Sequence, residues 1–280
     1  MDEQGQFVPT RLTTLASPVA GLWWRGNKKL VDSPKIVAIV GSRRMSRYGK
    51  QVLSEIVPKL VEMGYTTVSG FMYGIDIEMH RLTMDSDGKT IGVLGWGINA
   101  PILSENQDLY HKVIEKDGLF LSEYPPAMLA TLWTFPQRNR IVVGLADLVI
   151  VVEAGIKSGS LNSADWARKM GKPVYAVPGS IFSPVSAGCN WLLSQGLAKP
   201  LTMSFFEVEK YSNKGRIHPS HGQLTNEESI LITLLRLEGP QSVNELARRL
   251  SIPAGAISAL LTTLFLRGEV SEERGVWMVQ

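Results

Sequence analysis

What most restricts the fold of this chain is a recurrence: a short apolar run of strand length, a polar turn that nearly always carries glycine, then a helical pattern. Lys35-Ile-Val-Ala-Ile-Val40 leads into Gly41-Ser-Arg-Arg44 and a helix over 48–63, which runs through Pro58 and closes on Gly64. Thr66-Thr-Val-Ser69 leads into Gly70-Phe-Met-Tyr-Gly-Ile-Asp76 and a helix ending at Met84; a strand over 89–94 ends in Gly95-Trp-Gly97. A helix over 104–116, strands over 119–122, 148–152 and 173–177, and a helix over 161–170 continue the pattern. Apolar runs without alternation belong to strands buried on both faces, and strands alternating with helices form a parallel sheet covered on both sides. The expected fold is therefore α/β, with a mostly parallel sheet. The turns after its strands share one edge, which is where ligands bind in such sheets.

The remainder of the chain follows another plan. Residues 207–223 are polar, carry Lys210, Lys214, Arg216 and two histidines, and show no period, so they read as a linker. Helices over 226–237, 242–250 and 253–267, followed by an alternating hairpin over 269–279, describe a small winged helix. Ser242 and Glu245 have the spacing of a capping box at the second helix. The expected division is 1–206 for the α/β domain with a short N-terminal extension, 207–223 for the linker and 224–280 for the winged helix. The segment before the first strand is hard to read; Trp23 and Trp24 fit a short extended piece packed on the main domain.

Charge separates the two parts. The chain carries 29 Lys+Arg against 26 Asp+Glu; residues 223–280 hold 5 against 7, and residues 1–222 hold 24 against 19. A polyanion is thus expected on the first domain. The single cysteine, Cys189, excludes an internal disulfide and reads as a small buried residue. No apolar run approaches the ~20 residues of a membrane span, and Asp2 and Glu3 do not fit a signal peptide, so a cytoplasmic protein is expected.

Three stretches carry chemistry. Gly41-Ser-Arg-Arg44 sets outward-facing amides and two guanidinium groups at a strand end, a suitable grip for phosphate, but matches neither dinucleotide nor triphosphate fingerprints. Phe135-Pro-Gln-Arg-Asn-Arg140 reads as a loop opening a helix, with a ring beside two arginines, the combination single-stranded nucleic acid requires. Phe135 fits either a stacking platform or a core position. Lys157-Ser-Gly-Ser160 with Asn162 adds a cation, hydroxyls and a helix N-terminus. Catalytic groups are sparse. Asp76 and His80 share a helix face, where an acid–base role competes with support of the helix and its loop. Glu123 and Glu153 follow strands without a visible nucleophile, and His218 and His221 lie in the linker, where solvated side chains are expected in preference to a metal site.

Val37-Ala-Ile-Val-Gly-Ser-Arg43, Ser-Gly-x-x-x-Gly-Ile-Asp-x-x-x-His at 69–80, Thr-Ile-Gly-Val-Leu-Gly at 90–95, Ser-Glu-Tyr-Pro-Pro at 122–126, Phe-Pro-x-Arg-Asn-Arg at 135–140, Ser-Gly-Ser at 158–160 and Ala-Val-Pro-Gly at 176–179 together resemble the DNA-processing protein A family, also called DprA or Smf. The likeness runs in order over about residues 15–200. It implies an extended Rossmann-like domain that binds single-stranded DNA, forms a homodimer, loads a RecA-type recombinase during DNA uptake, and performs no catalysis with no cofactor or metal. Carried over by motif, the DNA site comprises Ser42, Arg43, Arg44, Phe135, Arg138, Asn139, Arg140, Lys157, Ser158, Gly159, Ser160 and Asn162. The chain departs from the family at Tyr73, where a cation is usual, and its ~30 residues before the first strand leave no room for the N-terminal helical domain of many members. The third helix of the winged domain offers Ser258, Thr262 and Thr263 but only Arg267 as a cation, which suits a protein-interaction module better than a duplex reader, although Arg248 and Arg249 keep the latter open. Two other readings compete: a nucleotide-processing hydrolase using Glu123 or Glu153, and a DNA-sensing protein of the same family.

Overall fold

The computed structural model describes residues 6–203, 205–206, 226–266, 269–273 and 275–279. The chain divides into two compact units, Met1–Tyr211 and Ser212–Gln280. The expected linker at 207–223, with His218 and His221, lies outside the described residues, as do Arg267 and Arg274.

In the first unit an eight-stranded sheet is built from β1 (Trp23–Gly26), β2 (Ile36–Val40), β3 (Thr66–Ser69), β4 (Thr90–Val93), β5 (Leu119–Ser122), β6 (Leu148–Val151), β7 (Val174–Ala176) and β8 (Lys199–Pro200). The spatial order is β1-β5-β4-β3-β2-β6-β7-β8, and every neighbouring pair is parallel except β1 with β5. The helices are α1 (Arg47–Glu62), α2 (Ile75–Asp85), α3 (Gln107–Glu115), α4 (Thr134–Leu145), α5 (Gly159–Lys169) and α6 (Ala187–Ser194). The unalternating apolar runs have the cause expected of them. In β2, Ile36, Ala38 and Val40 enter one core, and Val37 and Ile39 enter the core on the opposite face. β6 divides likewise, with Val149 and Val151 on one side and Leu148 and Ile150 on the other. A strand with a core on each side has no face left for polar residues.

Two elements correct the sequence reading. Phe135-Pro-Gln-Arg-Asn-Arg140 is not a loop that starts a helix, because α4 already begins at Thr134. Pro136 is accommodated there because the N–H groups of a first helical turn have no intrahelical acceptor to lose. Residues 187–194 form a helix, and Lys199–Pro200 an exposed edge strand, that no periodicity announced.

Chain direction places the site. From β2 the chain builds outward through β3, β4 and β5, then returns to lay β6 against the other side of β2 and continues to β7. The turns after β2 and β6 therefore diverge, and the crevice between them is the topological switch point of the sheet.

The second unit contains α7 (Asn226–Glu238), β9 (Gln241–Ser242), α8 (Val243–Leu250), α9 (Ala254–Leu266), β10 (Val270–Glu273) and β11 (Val276–Val279), with the sheet ordered β10-β11-β9. Its core includes Leu231, Leu235, Leu246, Ile257, Leu261, Leu264 and Val270. Ser242 and Glu245 form the reciprocal capping box that starts α8. This is the winged-helix arrangement. On α9, the Thr262 and Thr263 hydroxyls donate to Ser258 and Ala259 carbonyls of their own helix.

Candidate functional site

At the switch point lies an open cleft of about 710 Å³. Its walls come from the turn after β2 (Gly41, Ser42, Arg43, Arg44), the turn after β6 and first residues of α5 (Lys157, Ser158, Gly159, Ser160), and the first turns of α4 (Phe135, Arg138, Asn139). Ten of the twelve residues expected in a DNA site thus line one cavity. Arg140 and Asn162 do not.

Each wall has a local cause. The Ser42 hydroxyl accepts the Arg44 amide at 3.0 Å, curling the turn so that Arg43 and Arg44 stay exposed. Gly74, at φ 77°, brings the β3–α2 loop against this turn, and the Ile75 amide donates to the Ser42 carbonyl at 3.2 Å. A side chain at Gly74 would strike the Ser42 carbonyl, so only glycine permits both the conformation and the approach. Ser158 caps α5 by accepting the Ser160 amide, and the Asn139 amide group donates to the Gly159 carbonyl at 3.2 Å, joining α4 to the start of α5. The positive end of α5 consequently faces the cleft beside Lys157.

The electrostatics are lopsided. Arg43, Arg44 and Lys157 are exposed and make no ion pair among the described residues. Beneath them, Arg138 is 3% exposed and lies with Asp76 over Gly70, where no side chain would fit. The Arg138 Nη1 donates to the Val93 carbonyl, while its Nε has no hydrogen-bond partner among the described residues. Burial pushes the Asp76 carboxyl above its ordinary range, opposed by Arg138, the Ser69 hydroxyl and the Met72 amide. Burial likewise lowers Arg138, and Asp76 counters it. The floor is therefore a compensated pair, to which Arg43 on the rim also contributes by its field, and the rim supplies cations that no ion pair holds among the described residues.

Phe135 is half-buried, packs edge-on against Trp96, and carries the Arg43 guanidinium 4.8 Å above its ring. Both readings of this residue meet here: one part of the ring is core, and the other supports a rim cation.

Arg140 behaves differently from its motif neighbours. It is 2% exposed; Nη1 and Nη2 hold Glu123 at 2.7 and 2.6 Å, and Nε donates to the Ser17 carbonyl at 3.2 Å. Its guanidinium is thus consumed in fastening the N-terminal segment and the end of β5 to α4. Asn162 is exposed on α5 outside the cleft.

The acid and base candidates are also occupied. Glu123 serves Arg140, and Glu153, 1% exposed, accepts from the amide and hydroxyl of Ser46 at the N-cap of α1. His80 is fully buried, with Nε2 2.6 Å from the Gly70 carbonyl and Nδ1 2.7 Å from the Thr90 hydroxyl. A carbonyl only accepts, so Nε2 carries the proton and Nδ1 accepts from Thr90. Burial pushes the imidazole down to about 4. His80 supports the loop that floors the cleft without lining it. Tyr73 also lies outside the lining and is hydrogen-bonded to Glu105, which raises its phenol above the ordinary value. Cys189 is buried, and burial pushes its thiol up to about 12.

Residues not foreseen as part of the site include Gly70, Met72, Leu132, Pro184 and Val185. Gly70 and Met72 belong to a glycine-bearing turn after a strand, a usable signal. The apolar loop residues gave none. No helix among the described residues is long and apolar enough to cross a membrane.

The family model described as DNA recombination-mediator protein A matches residues 3–211, and that described as DprA winged helix domain matches residues 218–275. A putative DNA processing protein DprA of Mycobacterium tuberculosis is 33% identical over 266 residues, covering 92% of this chain and 68% of that protein. DNA processing protein DprA of Bacillus subtilis is 38% identical over 188 residues, covering 67% of this chain and 63% of that protein. Among solved structures, DNA processing protein A from Helicobacter pylori, described for its single-stranded DNA binding mode, aligns with a TM-score of 0.67 at 31% identity, covering 72% of this chain and 93% of that one. DNA processing protein A (DprA) from Streptococcus pneumoniae aligns with a TM-score of 0.66 at 37% identity, covering 72% and 70%.

Proposed function

Because the chain belongs to the DNA recombination-mediator protein A family, we propose that it binds single-stranded DNA in the switch-point cleft and passes it to a RecA-type recombinase, without catalysis. The observation that carries this reading is the set of three exposed cations, Arg43, Arg44 and Lys157, around one cleft at the start of α5, none of them held in an ion pair among the described residues. Ammonium, guanidinium and helix-end amides suit the phosphates of a strand. Ser42, Ser158, Gly159, Ser160 and Asn139 complete the contact surface, with Phe135 and Arg138 holding its shape.

A hydrolase acting on nucleotides is the less favoured reading because its acid candidates are engaged elsewhere, Glu123 with Arg140 and Glu153 with Ser46. The proposal includes recombinase loading and a homodimer, both supported by family membership, and a cytoplasmic setting. The proposal assigns the winged helix to protein contact, since the Thr262 and Thr263 hydroxyls of α9 donate their protons to their own helix. The reading is tested by titrating labelled oligothymidylate into the parent, Arg43→Ala and Lys157→Ala proteins, with incubation on nucleoside monophosphates alongside. Loss of affinity in both variants is expected, each by roughly tenfold or more for a charge-assisted contact. Unchanged affinity, or release of free base, would contradict it.

A further inference from the structure

Two loops at the cleft expose apolar side chains. Before α4, Leu132 is 90% and Trp133 55% exposed; between β7 and α6, Ile181 is 82% and Phe182 89% exposed. Both loops reach the cavity, the first through Leu132 and the second through Pro184 and Val185, while Trp133, edge-on to Tyr124, and Phe182 stand on the same loops just outside the lining.

The sheet order places them on either side of the cations. The first loop is fastened over the end of β4, where the Thr134 hydroxyl donates to the Gly95 carbonyl at 2.6 Å and the Tyr124 hydroxyl donates to the Thr134 carbonyl at 2.9 Å. The second follows β7. Between β4 and β7 lie β3, β2 and β6, and the turns after β2 and β6 carry Arg43, Arg44 and Lys157. An aromatic group therefore stands at each end of a short positive track.

Single exposed apolar residues are ordinary on a protein surface. Aromatic rings flanking exposed cations are different, because a single strand presents both phosphates and unstacked base faces. The aromatic ring inside the cleft cannot serve fully as a platform, since Arg43 lies over Phe135. The track between the loops, with three exposed cations in no ion pair among the described residues, also favours a polyanion over an apolar protein surface. Double-stranded DNA keeps its bases stacked inside, so platforms at both ends would be useful only to a single strand.

We infer that Trp133 and Phe182 are base-stacking platforms at the two ends of the cleft, onto which bases of a bound single strand turn outward while its phosphates follow Arg43, Arg44 and Lys157. The inference rests on the DNA-binding reading above and assigns a second component of the affinity, one that reads bases.

The test compares oligothymidylate with an abasic oligonucleotide of equal length, by anisotropy, on the parent, Phe182→Ala, Trp133→Ala and Arg43→Ala proteins. Phe182→Ala and Trp133→Ala each weaken oligothymidylate binding about tenfold, the size expected for one base on one ring, and leave abasic binding unchanged. Phe182→Tyr, which keeps a stacking face, retains parental affinity. Arg43→Ala weakens both ligands. If Arg43→Ala weakens both while the aromatic variants weaken neither, or weaken both ligands equally, base stacking at these loops is overturned and the binding reading stands. If Arg43→Ala also leaves both affinities unchanged, the DNA reading falls, and this inference with it. Sedimentation of the same proteins covers the alternative occupant: altered self-association at parental DNA affinity would assign the loops to a second copy of the chain and overturn the proposal.

Discussion

Lowering the pH should weaken the α/β unit through His80. In the folded chain its imidazole is held to about 4 by burial between the Gly70 carbonyl and the Thr90 hydroxyl. In the unfolded chain it titrates near 6.5, the ordinary value of a solvated imidazole. Between these values the unfolded chain binds a proton that the folded chain refuses, so stability is lost as pH falls. At about 1.4 kcal/mol per pH unit, the loss from this residue between pH 7 and pH 4.5 is on the order of 2–3 kcal/mol. Carboxylates titrate in the same range, so the informative quantity is a difference between proteins. His80→Gln keeps a donor for the Gly70 carbonyl and removes the titrating group. Six of the seven tryptophans precede residue 192, so urea unfolding followed by tryptophan fluorescence reports mainly on the α/β unit. The variant is expected to be less stable than the parent at pH 7 but to lose about one proton's worth less stability on acidification. Parallel stability-versus-pH curves would refute the buried, neutral imidazole and its role under the cleft.

Other perturbations separate the parts of the site. Gly74→Ala should lower both stability, by about 1–3 kcal/mol of backbone strain at a φ, ψ of 77° and −125° open to glycine alone, and DNA affinity, through displacement of the Gly41–Arg44 turn. Gly64→Ala, at φ 79° with open space around it, should show the strain alone; equal DNA affinity in both variants would remove the loop contact from the account. Arg140→Met leaves Glu123 unpaired and should cost on the order of 3 kcal/mol in chemical unfolding, while affinity per folded molecule stays parental. A weakened affinity at unchanged stability would instead return Arg140 to the DNA surface.

The sheet was readable because burial on both faces leaves a mark on every residue of a strand. Ile36-Val-Ala-Ile-Val40 needs no alternation to be recognised, and the glycine-bearing turns after such runs mark the cleft edge in the sequence itself. Arg138 and Arg140 show the opposite case. A charged residue in sequence looks available, yet α4 is buried along most of its length, and the two guanidinium groups turn inward to Val93 and Asp76 and to Glu123. Only three-dimensional contacts separate these from Arg43 and Arg44, which stand on a turn. The exposed loop residues Leu132 and Phe182 were illegible for a related reason: an apolar residue in sequence predicts burial, and its exposure is a property of the fold. β8, only two residues long and exposed, carries too little pattern to be read.

The central claim is that the exposed cations of the switch-point cleft hold the phosphates of a single strand, and the salt dependence of binding tests it most directly. Oligothymidylate affinity measured across a salt series should fall linearly on logarithmic axes, with a slope shallower by about 0.7 in Arg43→Ala and again in Lys157→Ala, one phosphate contact being lost each time. Matched duplex should bind more weakly at every salt concentration. Slopes identical to the parent in both variants would contradict the account.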